Sequence, residues 1–209
     1  MIDPRRLRGL YVITDPDLCG QHLLDKVAAA IAGGARLVQY RNKQASAAQQ
    51  QKEAHALREL CRQNQVLFLV NDDANLARKV EADGVHLGQR DTGPGEARAL
   101  LGEDAIIGIS CNNRYEHALA AQQAGADYIA FGRFFPSRTK PQAPRAEPAL
   151  LEQARRELPV PVCAIGGIRP EHIPGLRAAG ADMVAVIHGI FGAANVRAAA
   201  RRYVAQFDG

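Results

Sequence analysis

Short apolar runs recur along the chain, each followed by a segment whose apolar positions return every three or four residues. The runs are LYVIT (10–14), VLFLV (66–70), AIIGIS (105–110) and PVCAI (161–165), with four more inside AGGARLVQY (32–40), EADGVHLG (81–88), AGADYIAFG (124–132) and AGADMVAVI (179–187). Between them, sets such as Leu23, Leu24, Val27 and Ile31, or Val196, Ala200, Tyr203, Val204 and Phe207, place apolar side chains on one face of a helix. Strands that are continuously apolar belong to parallel sheets covered on both faces. Eight strand–helix units in 209 residues predict an α/β fold, a (β/α)8 barrel forming one domain over residues 1–209. An open doubly wound sheet is the alternative architecture.

Four of the helix-to-strand joints share one form. A helix-like segment ends at a small residue and a glycine (Gly34, Gly84, Gly125 and Gly180), and a β-rich run begins within two residues. Glycine is the usual residue where a helix must stop in a left-handed turn.

One run breaks the apolar rule. In LVQYRNK (37–43), Gln39, Arg41 and Lys43 alternate along one face with Leu37, while Val38 and Tyr40 face the other way. A solvated sheet face would give the same alternation. However, polar residues gather at the C-terminal ends of successive strands: Asn71 and Asp72 in VNDD, Gln89 and Asp91 in HLGQRD, Ser110, then GRFFPSRTKP, IGGI and IHG. A barrel keeps its chemistry at that end of its strands, so Gln39 and Arg41 are expected at the barrel mouth.

Individually these residues have ordinary uses. Asp72 or Asp73 suits the N-cap of the helix DANLARKV, Asp91 suits a loop, and His86 reads as a packed strand residue. Together, Asp72 and Asp91 on neighbouring strand-end loops, beside Arg41 and Lys43, offer hard oxygen ligands for Mg²⁺ and cations for a diphosphate ester. Gly166 and Gly167 in IGGI, followed by IHG, fall where this fold recurrently binds phosphate through backbone N–H groups. The stretch FFPSRTKPQAPRAEP (134–148) lacks apolar periodicity. It reads as a long exposed loop, either a lid or a plain connection, whose Ser137, Thr139 and Lys140 could reach phosphate oxygens.

Composition narrows the setting. The chain is 47% hydrophobic, and its N-terminus MIDPRRLRGLYVITD has no secretory hydrophobic segment, so a cytoplasmic protein without a membrane partner is expected. Cys19, Cys61, Cys111 and Cys163 stand far apart with no CxxC spacing, which points to buried or half-buried free thiols. A net charge of +4 with 5% aromatic residues and no clustered base argues against nucleic acid and leaves small anions as partners.

LVQYRNK, VNDD, GVHLGQRD, GIS, FGRFFPSRTK, IGGI and GADMVAVIHGIF occur in that order over nearly the whole chain, and the set resembles the thiamine-phosphate synthase family. The resemblance implies that Gln39, Arg41, Lys43, Asn71, Ser110 and Lys140 hold an aminopyrimidine diphosphate, with Asp72 and Asp91 on its Mg²⁺. It implies that Ser137, Arg138, Thr139, Gly167 and the backbone of Ile187 and His188 hold a thiazole phosphate. Arg41, Lys43, Ser110 and Lys140 are the expected catalytic groups. Two positions depart from the family pattern: Ser137 stands where threonine is common, and His188-Gly189 replaces a serine-alanine pair. The implied reaction is dissociative: diphosphate leaves the pyrimidine methylene, and the thiazole nitrogen attacks that carbon to give thiamine phosphate. A related thiazole tautomerase and a non-catalytic sensor of phosphate ligands are the rival readings.

Overall fold

The computed structural model describes residues 6–137 and 142–207. Eight strands, β1 (Gly9–Ile13), β2 (Leu37–Tyr40), β3 (Leu67–Asn71), β4 (Gly84–Leu87), β5 (Ile106–Asn112), β6 (Tyr128–Gly132), β7 (Val162–Ile165) and β8 (Met183–Val186), follow one another around a closed barrel. Every pairing is parallel, and β1 pairs with both β2 and β8. An open sheet, the alternative, would have left β1 or β8 at an edge.

Parallel neighbours need a crossover, and a helix supplies each one. Leu23–Ala32, Ala47–Gln63, Ala74–Lys79, Pro94–Leu101, Tyr115–Gln123, Pro148–Glu157, Ile173–Ala179 and Val196–Val204 pack outside the sheet, and short helices Pro16–Cys19 and His188–Phe191 sit after β1 and β8. Strand alternation divides the apolar residues into two layers. Tyr11, Ile13, Leu37, Leu67, Leu69, Ile106 and Tyr128 fill the barrel. Leu10, Val12, Val38, Tyr40, Phe68 and Val70 pack between sheet and helices. The apolar runs are continuous because both faces of every strand are covered.

The helix-to-strand joints carry a second device besides glycine. Asp83, Asp127 and Asp182 precede β4, β6 and β8, and each carboxylate accepts an N–H at the start of the preceding strand: Phe68 at 2.8 Å, Ile107 at 2.7 Å and Val162 at 2.8 Å. These N–H groups at the lower rim would otherwise lack a ladder partner. The glycine reading holds for Gly34, Gly125 and Gly180, whose φ values are positive. It fails at Gly84, which is the first residue of β4; Glu81 takes the left-handed position there, with φ 53°.

Three other expectations change. Leu24 lies on the solvent side of its helix, 44% exposed. Strand β5 runs two residues past Ser110, with a register shift against β6 between Ser110 and Asn112. The 134–148 stretch is anchored rather than exposed throughout, since Phe134 and Ala146 are buried and the next helix begins at Pro148. All four cysteines are free and buried, and burial pushes the Cys61 and Cys111 thiols up to about 12. No described helix is long and apolar enough to cross a membrane.

Candidate active site

The site begins on β2. Leu37 lies in the inner layer and Val38 and Tyr40 in the outer one, so Gln39 points into the barrel, where it is 1% exposed. The strand ends at Tyr40, and Arg41 and Lys43 follow on the turn beyond it. Two residues that the sequence did not single out fix this turn. Thr14, at the end of β1, accepts the Arg41 N–H at 2.8 Å and donates to the Arg41 carbonyl at 3.3 Å. Glu53 accepts the Tyr40 hydroxyl at 2.7 Å, Asn42 Nδ2 at 3.1 Å and Gln49 Nε2 at 2.7 Å.

At the end of β3 the two adjacent aspartates separate in role. Asp73 caps the helix Ala74–Lys79 by accepting the Leu76 N–H at 2.9 Å. Asp72 adopts φ 62°, a left-handed conformation that aspartate tolerates better than most residues, and its Oδ2 lies 2.6 Å from Lys43 Nζ. Burial works against ionisation of Asp72, but the Lys43 ammonium beside it holds its carboxyl below its ordinary range. Asp91 is anchored by the Gly88 N–H at 2.7 Å.

Two carboxylates in hydrogen-bonding reach of each other are the donor set a hard divalent cation suits. No cluster of three His, Cys, Asp or Glu side chains occurs among the described residues. The carboxylate pair suits Mg²⁺, which takes one or two carboxylates and completes its shell with water and phosphate oxygens.

Beside this pair a cavity of about 420 Å³ opens at the C-terminal mouth of the barrel. Its walls bring together Gln39, Arg41, Asn71, Ser110, Ser137, Gly167, Ile187 and His188. Lys43, Asp72 and Asp91 stand outside that lining as a separate cluster. Asn71 joins the two, since it lines the cavity and directly precedes Asp72 in the chain. Arg138, Thr139 and Lys140 lie outside the described residues. His86, Asn112, Arg133, Arg169 and Tyr203 also line the cavity; the sequence had offered His86 only as packing and passed over the others as site residues.

The glycines after β7 have a steric reason. Gly166 and Gly167 take φ 103° and 63°, and a Cβ on Gly167 would stand 2.2 Å from the Pro136 carbonyl oxygen. The pair therefore lets the β6 loop lie directly against the β7 loop. Phe135, on the same loop, stacks on His172 with ring centroids 3.6 Å apart. Across the cavity, Gly189 makes room for Tyr203: a Cβ there would come within 2.0 Å of the tyrosine oxygen. The Tyr203 hydroxyl donates to the Ile168 carbonyl at 2.9 Å, which holds the β7 loop from below. The His188-Gly189 departure is thus paired with a tyrosine on the last helix.

His86 packs on β4 as expected, but it also connects the site. Its Nε2 lies 2.9 Å from Ser110 Oγ and its Nδ1 lies 2.7 Å from the Tyr128 hydroxyl. The irregularity in β5 falls at this serine, whose carbonyl accepts Gln89 Nε2 at 2.7 Å.

The profile of a family described as "Thiamine monophosphate synthase" matches residues 10–190. The chain is 52% identical over 205 residues to the thiamine-phosphate synthase of Thioalkalivibrio sulfidiphilus, covering 97% of each. It is 52% identical to that of Alcanivorax borkumensis over 207 residues, covering 97% of this chain and 95% of the other. A solved thiamine phosphate pyrophosphorylase from Pyrococcus furiosus superposes with a TM-score of 0.90 at 33% identity, covering 99% of this chain and 98% of that one. With a barrel mouth that sets a cavity carrying Gln39, Arg41 and Asn71 beside a two-aspartate cluster, and with relatives matching end to end, the chain belongs to the thiamine-phosphate synthase family.

Proposed function

We propose that the cavity binds an aminopyrimidine methyl diphosphate beside a thiazole phosphate and joins them as thiamine phosphate, releasing diphosphate, with Mg²⁺ held by Asp72 and Asp91. The observation that carries this reading is the placement of a two-carboxylate, one-lysine cluster beside a largely apolar cavity that carries a few polar side chains. That arrangement suits one ligand with an uncharged ring inside and a diphosphate at the edge.

In this reading Gln39 and Asn71 receive the pyrimidine end, while Arg41, Lys43, Ser110 and Lys140 take the diphosphate. The carbon–oxygen bond of the pyrimidine methylene breaks with its electron pair leaving on the diphosphate, and the thiazole nitrogen lone pair then forms the new carbon–nitrogen bond. An electron-rich aminopyrimidine stabilises the cation left behind, so the demand on the protein is to stabilise the departing charge. Fixed cationic and hydrogen-bonding side chains do this without reorganising at the moment of reaction. Bound Mg²⁺ supplies further neutralisation of the diphosphate. Water must be excluded because it would capture the cation, and Pro136 and Ser137 line the cavity.

Ser137, Arg138, Thr139, the Gly167 backbone and the start of the helix at His188 are proposed to hold the thiazole phosphate. Serine at 137 keeps the hydroxyl that the usual threonine would offer. Four buried free thiols suit a reducing cytoplasm. A thiazole tautomerase has no diphosphate to hold and would leave Arg41, Lys43 and both aspartates without a task. Pyrophosphate release that requires both substrates tests the reading, and binding of either without turnover would mean a sensor instead.

A further inference from the structure

Beneath the cavity, five polar side chains from five strands form an unbroken chain through an otherwise apolar barrel. Gln39 Nε2 on β2 donates to the Tyr11 hydroxyl on β1. Tyr11 lies 3.0 Å from the Tyr128 hydroxyl on β6. Tyr128 meets His86 Nδ1 on β4 at 2.7 Å, and His86 Nε2 meets Ser110 Oγ on β5 at 2.9 Å. Tyr11 and Tyr128 are 1% and 0% exposed. Gly108 admits the Tyr128 ring, since a Cβ there would lie 2.0 Å from it. Both ends of the chain, Gln39 and Ser110, line the cavity.

Counting protons gives this chain a direction. An amide nitrogen can only donate, so the Tyr11 oxygen accepts from Gln39. The single Tyr11 proton then goes to Tyr128, and the Tyr128 proton goes to His86 Nδ1. The imidazole proton therefore sits on Nε2 and is donated to Ser110 Oγ, which leaves the serine's own proton for the cavity. At the opposite end the Gln39 nitrogen is occupied by Tyr11, so its carbonyl oxygen is turned away from that hydroxyl. Reversing the chain would require both the flipped amide and the other imidazole tautomer, and Ser110 would then donate to His86 and offer the cavity only an acceptor.

We propose that Tyr11, Tyr128 and His86 are positioning residues that couple the Gln39 amide to the Ser110 hydroxyl, so that an acceptor on one wall and a donor on another are set together. The proposal rests on the functional reading above. An amino group on the pyrimidine requires an acceptor, a diphosphate oxygen requires a donor, and only one sense of the chain provides both. A buried network satisfied in one sense holds its end groups in place without further cost on binding.

Three measurements test it on the full-length protein. In wild-type protein labelled with ¹⁵N-histidine, the His86 resonances should show a protonated Nε2 and a bare Nδ1; protonation at Nδ1 instead would overturn the proposal. Tyr128→Phe removes one oxygen and keeps the ring. It should lower kcat/KM for the pyrimidine diphosphate roughly tenfold, as loss of one buried hydrogen-bond link implies, with KM for the thiazole phosphate unchanged. Gln39→Ala and Ser110→Ala should be non-additive in the wild type and additive in the Tyr128→Phe background; additivity in both backgrounds would overturn the coupling. Absence of wild-type turnover would defeat the functional reading instead, and the tautomer measurement would still decide the network.

Discussion

Gly189 and Tyr203 share one space: the tyrosine oxygen lies where a Cβ on residue 189 would approach to 2.0 Å, and it donates instead to the Ile168 carbonyl. An alanine at 189 must therefore displace either the last helix or the β7 loop. Gly189→Ala is expected to cost about 1–3 kcal/mol of stability, the range for overpacking a tight site, and to raise KM for the thiazole phosphate. Tyr203→Phe removes the clashing oxygen, so the double variant should melt higher than the sum of the two single effects predicts. Additive melting shifts would show that the two residues do not compete.

Lys43 Nζ lies 2.6 Å from Asp72 Oδ2 and joins the turn after β2 to the turn after β3. Its side chain is 60% exposed, so the pair adds little to stability. Its effect should appear in binding. Lys43→Met is expected to raise KM for the pyrimidine diphosphate and the Mg²⁺ requirement together, each about tenfold or more, with a melting temperature within a degree or two of wild type. Titrating Mg²⁺ at fixed substrate checks this.

Glu53 governs the same turn from the outside. Burial opposes its charge, but hydrogen bonds from Gln49, Tyr40 and Asn42 outweigh it and hold the carboxyl below its ordinary range. A lowered folded-state pKa means stability that is present above the unfolded value and lost as pH falls through the folded one. Glu53→Gln should therefore cost about 1–2 kcal/mol at neutral pH, and the gap from wild type should shrink as the solution is acidified below about pH 4. Urea melts at several pH values measure this, and a gap independent of pH would contradict it.

The lower rim should behave in the opposite way to the mouth. Asp182 accepts the Val162 N–H at 2.8 Å, far along the strands from the cavity. Asp182→Ala is expected to lower stability by about 1 kcal/mol while leaving kcat and both KM values unchanged.

The sequence carried the barrel because its signals are local. Apolar runs mark strands covered on both faces, and the glycines at 34, 125 and 180 mark where helices stop. The inward turn of Gln39 followed from strict alternation with Leu37, Val38 and Tyr40. What stayed hidden depends on contacts between distant segments. Tyr11 and Tyr128 are 117 positions apart yet share a hydrogen bond, and each alone reads as an ordinary aromatic core residue. Tyr203 was recognised as one position of an apolar helix face, which says nothing of a hydroxyl aimed at Ile168. Choosing between Asp72 and Asp73 as the cap needed the left-handed turn at Asp72, for which the sequence offers no signal. One signal was available and unread: the aspartate recurring before β4, β6 and β8 could have been seen in EADG and the two AGAD segments.

In the proposed reaction the diphosphate leaves under the charge of the surrounding cations and of Mg²⁺ that Asp72 and Asp91 would hold. The most direct measurement follows pyrophosphate and thiamine phosphate together, with both substrates present, as Mg²⁺ is added to chelator-treated enzyme. The account predicts equal amounts of the two products, none without metal, and for Asp72→Ala a loss of at least about a hundredfold that excess Mg²⁺ partly restores. Full turnover in the presence of chelator, or an Asp72→Ala enzyme as active as wild type at low Mg²⁺, would contradict it.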